Sequence, residues 1–166
     1  MSDVSSETAT ANSDLITIEQ LRERIGQQQG PTEWREVTQE MINSFAELSG
    51  DHQWIHVDVE RAAKESPFGT TIGHGNLTLA MIDGFREQFN VNLEGAKLGV
   101  NMGWNRVRFP APVPAGSKVR ASAELVDVTE KGNGWWEVVQ RFTIEVDGGE
   151  KPVCVADSVG RALIEA

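Results

Sequence analysis

The sequence predicts a single-domain α+β fold in which an antiparallel sheet covers one side of a long apolar helix. Three observations lead there. Residues 76–89 place apolar side chains at three- and four-residue steps, the spacing of one helical face. Beyond them the apolar period changes to two and recurs in four runs, as it does in half-buried strands. Short segments rich in Gly, Pro and Asn separate those runs, and a length of 166 residues suits one packed core rather than two.

Taken in order, residues 1–13 carry too few apolar groups to offset the entropy of ordering and are expected to form a disordered tail before a domain spanning 14–166. Thr17 and Gln20 make a capping-box pair for a short helix carrying Ile18, Leu21 and Ile25, which Gly26 ends. After a turn at Gly30 and Pro31, Trp34 and Val37 read as extended. Thr38 then caps a second helix with Met41, Ile42, Phe45 and Leu48 on one face and Gly50 as its stop. Residues 51–75 hold all three histidines and show no sustained period apart from one turn capped by Asp58.

In the long helix the periodic residues are Leu77, Ala80, Met81 and Phe85, with Gly84 on the same face. The four strands follow: Val100, Met102 and Trp104; Val119, Ala121, Ala123 and Leu125; Trp136, Val138, Phe142, Ile144 and Val146; Val153 and Val155. Turns at 110–116, 131–134 and 147–149 link them, and a helix followed by such a sheet suggests a hot-dog arrangement. The aromatics Trp104, Trp135, Trp136 and Phe142 read as core or dimer contacts rather than an acyl pocket.

Composition narrows the function classes. A net charge of −10 disfavours nucleic acid and anionic membranes, whose binding rests on clustered Lys and Arg. Arg106, Arg108, Lys118 and Arg120 are close in sequence and would serve a small polyanion if they gather, although exposed strand charges are the plainer reading. No apolar run reaches the roughly 20 residues of a membrane span, and residues 1–14 lack the basic start and apolar stretch of a signal peptide. The lone cysteine, Cys154, sits among alternating apolar residues and reads as core in a reducing, cytoplasmic protein.

Chemistry concentrates in two clusters. Asp51, His52 and His56 follow a helix-ending glycine, and general acid–base work needs two such titratable groups to converge on one bond. Spacing alone also suits loop residues that cap helices. The segment Gly73-His74-Gly75-Asn76 enters the long helix and leaves first-turn amides free to meet an oxyanion, or is simply a tight turn.

These residues resemble the MaoC-like hydratases and dehydratases, whose signature runs glycine, aspartate, any residue, asparagine, proline, an aliphatic and histidine. Here it reads Gly50-Asp51-His52-Gln53-Trp54-Ile55-His56. The strings through Val57-Asp58, Ser66-Pro67-Phe68-Gly69, His74-Gly75 and Val107-Arg108-Phe109-Pro110-Ala111-Pro112-Val113-Pro114 are most similar to the nodulation-protein-N-like branch, over residues 15–166. The resemblance implies a hot-dog homodimer acting on an acyl-CoA in a tunnel between subunits, bordered by the 110–114 loop. It makes Asp51 and His56 the catalytic pair and the Gly75 amide the oxyanion donor, with Gln53, His74 and Asn76 as substrate contacts. Gln53-Trp54 departs from the usual Asn-Pro.

The function implied is an (R)-specific hydro-lyase of the enoyl-CoA hydratase 2 type, adding water to trans-2-enoyl-CoA to give a (3R)-3-hydroxyacyl-CoA. No cofactor is expected, because an enoyl thioester already accepts water at C3 and no electrons move. A metal is not expected either: His52 and His56 follow a helix stop, so their spacing does not bring them together. The rival classes are an acyl-CoA thioesterase and a noncatalytic acyl-thioester-binding protein on the same fold.

Overall fold

The computed structural model describes residues 15–89 and 91–165; the predicted tail lies outside the described residues. Strand β1 (Leu15–Ile16) leads into α1 (Ile18–Arg22). The Thr17 amide donates to Gln20 Oε1 at 2.9 Å and the Gln20 amide to Thr17 Oγ1 at 3.2 Å, so the predicted capping box is complete. Ile18 and Leu21 are buried, whereas Ile25 lies past the helix end and is exposed. β2 (Gln28–Gln29) and β3 (Arg35–Glu36) are two-residue edges of the main sheet.

α2 (Gln39–Ser49) begins where Thr38 Oγ1 accepts from the Met41 amide at 3.2 Å. It ends at Gly50, whose φ of 77° lies in the left-handed region that a side chain resists. Ile42 and Ala46 are fully buried, but Leu48 points to solvent rather than along that face. Two short helices follow, α3 (Trp54–Val57) and α4 (Val59–Glu65). Asp58 caps α4 as predicted, its carboxylate accepting from the Arg61 amide at 3.0 Å. At one turn, α3 is too short to show a period.

The predicted helix over 76–89 starts one residue earlier and comes as α5 (Gly75–Ala80) and α6 (Ile82–Arg86) with a tightened turn at Met81. The path continues, since the Phe85 amide donates to the Met81 carbonyl at 3.2 Å. Leu77, Met81, Phe85 and Phe89 are buried in steps of four, flanked by Thr78 and Ile82. Ala80 falls outside that stripe and is exposed.

β4 (Asn92–Leu93) pairs in parallel with β1. The four period-two runs form β5 (Ala96–Arg108), β6 (Lys118–Gly132), β7 (Trp135–Val146) and β8 (Cys154–Ile164). Their sheet runs β2-β6-β7-β8-β5, antiparallel throughout, and β3 also joins β6. The β6–β7 hairpin turns through Asn133-Gly134, at φ 53° and 78°, the paired positive values that match strand twist. The link from β5 to β6 is no hairpin. β5 pairs with β8 at the far edge, so residues 109–117 cross from that edge to an interior strand.

The core packs Ile82, Phe85 and Phe89 against Val119, Ala121, Phe142, Ile144 and Ala156 of the sheet, with Ile42 of α2 beside them. A sheet wrapped about a central helix in this way is the hot-dog fold. A second cluster, Ile16, Ile18, Leu21, Leu125 and Val128, attaches α1 to β6. Phe142 is fully buried, Trp104 packs partly buried against the first cluster and Trp136 against the second. Among the described residues no helix is long and apolar enough to cross a membrane.

Cys154 is fully buried in this core, and burial pushes its thiol up to about 11. The native protein should therefore leave a disulfide reagent such as DTNB unreacted at pH 8 and release one equivalent of thiolate once unfolded in guanidinium; rapid native release would show that β8 opens.

Candidate active site

The site is assembled where α2, α3 and the start of α5 meet. Past Gly50, the Ser49 hydroxyl donates to the Phe45 carbonyl at 2.7 Å and accepts from the Asp51 amide at 3.3 Å. The Asp51 carboxylate accepts from the Gln53 amide at 3.3 Å, a turn that directs the chain into α3. His56, the third residue of α3, is buried. Its Nδ1 stands 2.7 Å from the Ile72 carbonyl, which can only accept, so Nδ1 carries a hydrogen and, in the neutral ring, Nε2 holds the lone pair. The Ile72 amide donates to the Ile55 carbonyl at 3.0 Å, and Gln39 of α2 donates to the His56 carbonyl at 2.7 Å while accepting from the Thr71 hydroxyl. Three segments thus fix one imidazole.

His74 lies behind it, 3% exposed, with its ring stacked on His56 at 3.8 Å between centroids and 24° between planes. Gly75 opens α5, and no side chain caps that helix. Its first-turn amides have no partner within the helix, by helix geometry. A Cβ on Gly75 would stand 2.7 Å from Cδ2 of Phe109, so only glycine leaves its amide and this ring in place together. His56, Gly75, Thr78, Phe68, Phe109 and the 110–113 segment line an open cleft of about 410 Å³. A smaller cavity of about 180 Å³ lies at the other end of the helical segment, between Leu21, Phe89, Leu125 and Arg86, and has no acid or imidazole in its lining.

Residues 20–145 match the family described as the MaoC like domain, three quarters of the chain. The chain belongs to the MaoC-like dehydratase family. Over 136 residues it is 52% identical to 3-hydroxyacyl-thioester dehydratase Z of Mycobacterium tuberculosis, covering 82% of this chain and 89% of that one. It is 37% identical over 142 residues to nodulation protein N of Rhizobium leguminosarum bv. viciae, with 86% and 88% covered, in keeping with the branch that the sequence resembles. The X-ray structure described as a monoamine oxidase regulatory protein from Archaeoglobus fulgius superposes with a TM-score of 0.75 at 28% identity, covering 92% and 97% of the two chains.

In this MaoC-like site, Asp51, His56 and His74 each bring one potential ligand atom within 4.8 Å of the others. A tetrahedral or octahedral ion needs lone pairs that converge, and each lone pair lies in its ring plane. Nearly parallel stacked rings direct theirs side by side, so the set fits proton transfer better than metal binding. Gln53 is exposed and contributes through its backbone, its amide to Asp51 and its carbonyl to the His56 amide at 2.9 Å. Trp54 takes the first helical position, where the proline of the family signature would lose no hydrogen bond, and the Arg61 guanidinium covers its ring at 4.3 Å. His52 is exposed beside Glu47. Asp51 and Asn76 are exposed and, like the buried His74, outside the cleft lining.

Thr78 and Phe109 are cleft residues that sequence reasoning missed. Thr78 is a buried polar group in an apolar stripe, one turn beyond His74, and that mismatch was the available signal. The basic residues do not gather: Arg106 and Arg108 are on β5 and Lys118 and Arg120 on β6, three strand spacings or about 14 Å across the sheet. Arg120 is engaged by Glu145 and stacks on Trp34.

The Gly75–Phe109 contact predicts a coupled pair. Gly75→Ala should destabilise the fold, and adding Phe109→Ala should recover part of that loss, with a coupling of about 0.5–3 kcal/mol in urea unfolding; additive effects would mean that the ring does not press on Gly75.

Proposed function

We propose that this MaoC-like hydro-lyase interconverts trans-2-enoyl and (3R)-3-hydroxyacyl thioesters of coenzyme A, with Asp51 and His56 as its acid–base pair. The observation that carries the reading is the approach of the Asp51 carboxylate and the His56 ring to within 4.8 Å of each other; His56 lines the cleft headed by Gly75, and Asp51, exposed, stands beside that lining. Kinship to a 3-hydroxyacyl-thioester dehydratase supports the substrate class.

Water adds across C2=C3, so one O–H bond breaks while C3–O and C2–H bonds form. Nε2 of His56, the nitrogen left free by the Ile72 carbonyl, takes the water proton as oxygen bonds to C3. Asp51, in its carboxylic acid form, gives its proton to C2 and regains one from the His56 imidazolium, so both groups end as they began, and the Gly75 amide donates to the enolate oxygen that develops on the thioester. No electrons leave the substrate, and the reverse order of the same steps is dehydration. Phe68, Phe109 and Val113 give the cleft the apolar wall that an acyl chain requires.

A homodimer belongs to this reading. β5 is the sheet edge with unpaired backbone groups along its outer side, and it exposes Leu98 and Met102. Pairing with a second copy would cover both. Light scattering should return twice the monomer mass.

Purified protein should remove the conjugated absorbance of a trans-2-enoyl-CoA and yield the (3R) alcohol by chiral analysis. Asp51→Asn and His56→Ala should each lose about 10²–10⁴-fold in kcat with an unchanged circular dichroism spectrum. Full activity in either folded variant would overturn the assignment, and thiol release from saturated acyl-CoA would redirect it to a thioesterase. Exhaustive chelation should leave the rate unchanged; a loss restored by zinc would assign the three ligand atoms to a metal.

A further inference from the structure

We infer that His74 is a positioning residue that holds Asp51 and His56 in register, rather than a group that touches substrate; this deepens the acid–base reading above and rests on it. The His74 side chain meets both members of the pair by different means. Its Nε2 lies 2.9 Å from the backbone carbonyl of Asp51, 23 residues earlier, and a carbonyl only accepts, so Nε2 carries the hydrogen. Its ring face lies against His56 at 3.8 Å, and Phe45 closes the other side at 5.0 Å and 55°. His74 is 3% exposed and absent from the cleft lining, whereas Asp51, also outside that lining, is exposed, so burial separates the positioning ring from Asp51 and the lining separates it from His56.

The unused nitrogen argues that this arrangement serves the site rather than the fold. His74 Nδ1 is buried without a hydrogen-bond partner. A lone pair left bare in that way costs stability, and an apolar residue of similar volume would avoid the cost. What only the imidazole supplies here is one donor aimed at Asp51 on the same flat ring that backs His56. The two histidines consequently hold opposite tautomers, Nδ1–H on His56 and Nε2–H on His74, each set by a main-chain carbonyl. Because His74 holds the N-cap position of α5, the two catalytic groups are referenced to the residue beside the Gly75 amide. An ångström of misplacement is enough to cost about 10²-fold in rate.

The test combines His74→Phe, which keeps a stacking ring and removes the donor, with His74→Gln, whose amide nitrogen reaches about as far as Nε2. Turnover of a trans-2-enoyl-CoA by His74→Phe should fall by about 10²-fold in kcat with KM within about twofold of wild type, the pattern of lost transition-state geometry without lost binding. His74→Gln should regain about tenfold of that loss through one restored hydrogen bond. An unchanged kcat, a loss confined to KM, or no gain in the glutamine variant would overturn the inference.

Nitrogen-15 spectra of the histidine rings in the wild-type protein give a readout independent of turnover and of how the variants fold. His74 should show the Nε2–H tautomer and His56 the Nδ1–H tautomer, and a His74 ring with no hydrogen on Nε2 would overturn the inference. If wild type hydrated no enoyl thioester, the functional reading would fall while these spectra still decided whether His74 holds the Asp51 segment.

Discussion

Burial of one flank of the helical segment 75–89 against the sheet is the constraint from which the site is measured. Ile82, Phe85 and Phe142 each contribute about 1.5–3 kcal/mol by leaving water, several times the net value of a neutral hydrogen bond, about 0.5–1.5 kcal/mol. Packing therefore decides where the helix lies, and hydrogen bonding decides only how the rings around its first residue are turned. Since Ile82 and Phe142 are fully enclosed, the helix has no room to slide, and Gly75 is held at the mouth of the cleft. α3 is then attached to this fixed point by the two bonds between Ile72 and the 55–56 segment.

Much of this was legible in the sequence because local chemistry and global fold agree. The capping pair at Thr17 and Gln20, the Thr38 cap and the Gly50 stop each depend on residues within a few positions of one another. The long strands repeat their period often enough to be read. What escaped depends on distance in the chain. The place of β5 beside β8, and so the crossing path of residues 109–117, is settled by packing on both sheet faces, not by the composition of the link. Ile82 replaces Ala80 in the helix stripe because steps of four from Leu77 carry the buried line round the axis.

The same division holds at the site. Asp51, His56 and Gly75 stood out because the signature puts them in two short strings, whereas Phe109 approaches Gly75 from 34 positions away and only as a consequence of the crossover. The stacking of His74 on His56 spans 18 residues, and nothing in either string announces it. Charge follows the same logic. Arg141 meets Asp157, Arg161 and Lys131 meet Glu137, and Arg120 meets Glu145 across neighbouring strands, so these basic side chains are spent on the sheet. Lys131 foremost, with Arg161, holds the Glu137 carboxyl below its ordinary range, and Asp157 raises the Arg141 guanidinium.

The irregular β5 edge has a consequence for the newly made chain. A flat row of thirteen residues with free amides and carbonyls is a template on which unrelated chains deposit as fibrils. Here the ladder to β8 breaks register three times, Gly103 bends the strand at φ 128°, and Lys97, Arg106 and Arg108 place like charges along it. Those interruptions leave no long straight stretch for a stranger to copy, so the edge resists aggregation before any specific partner arrives.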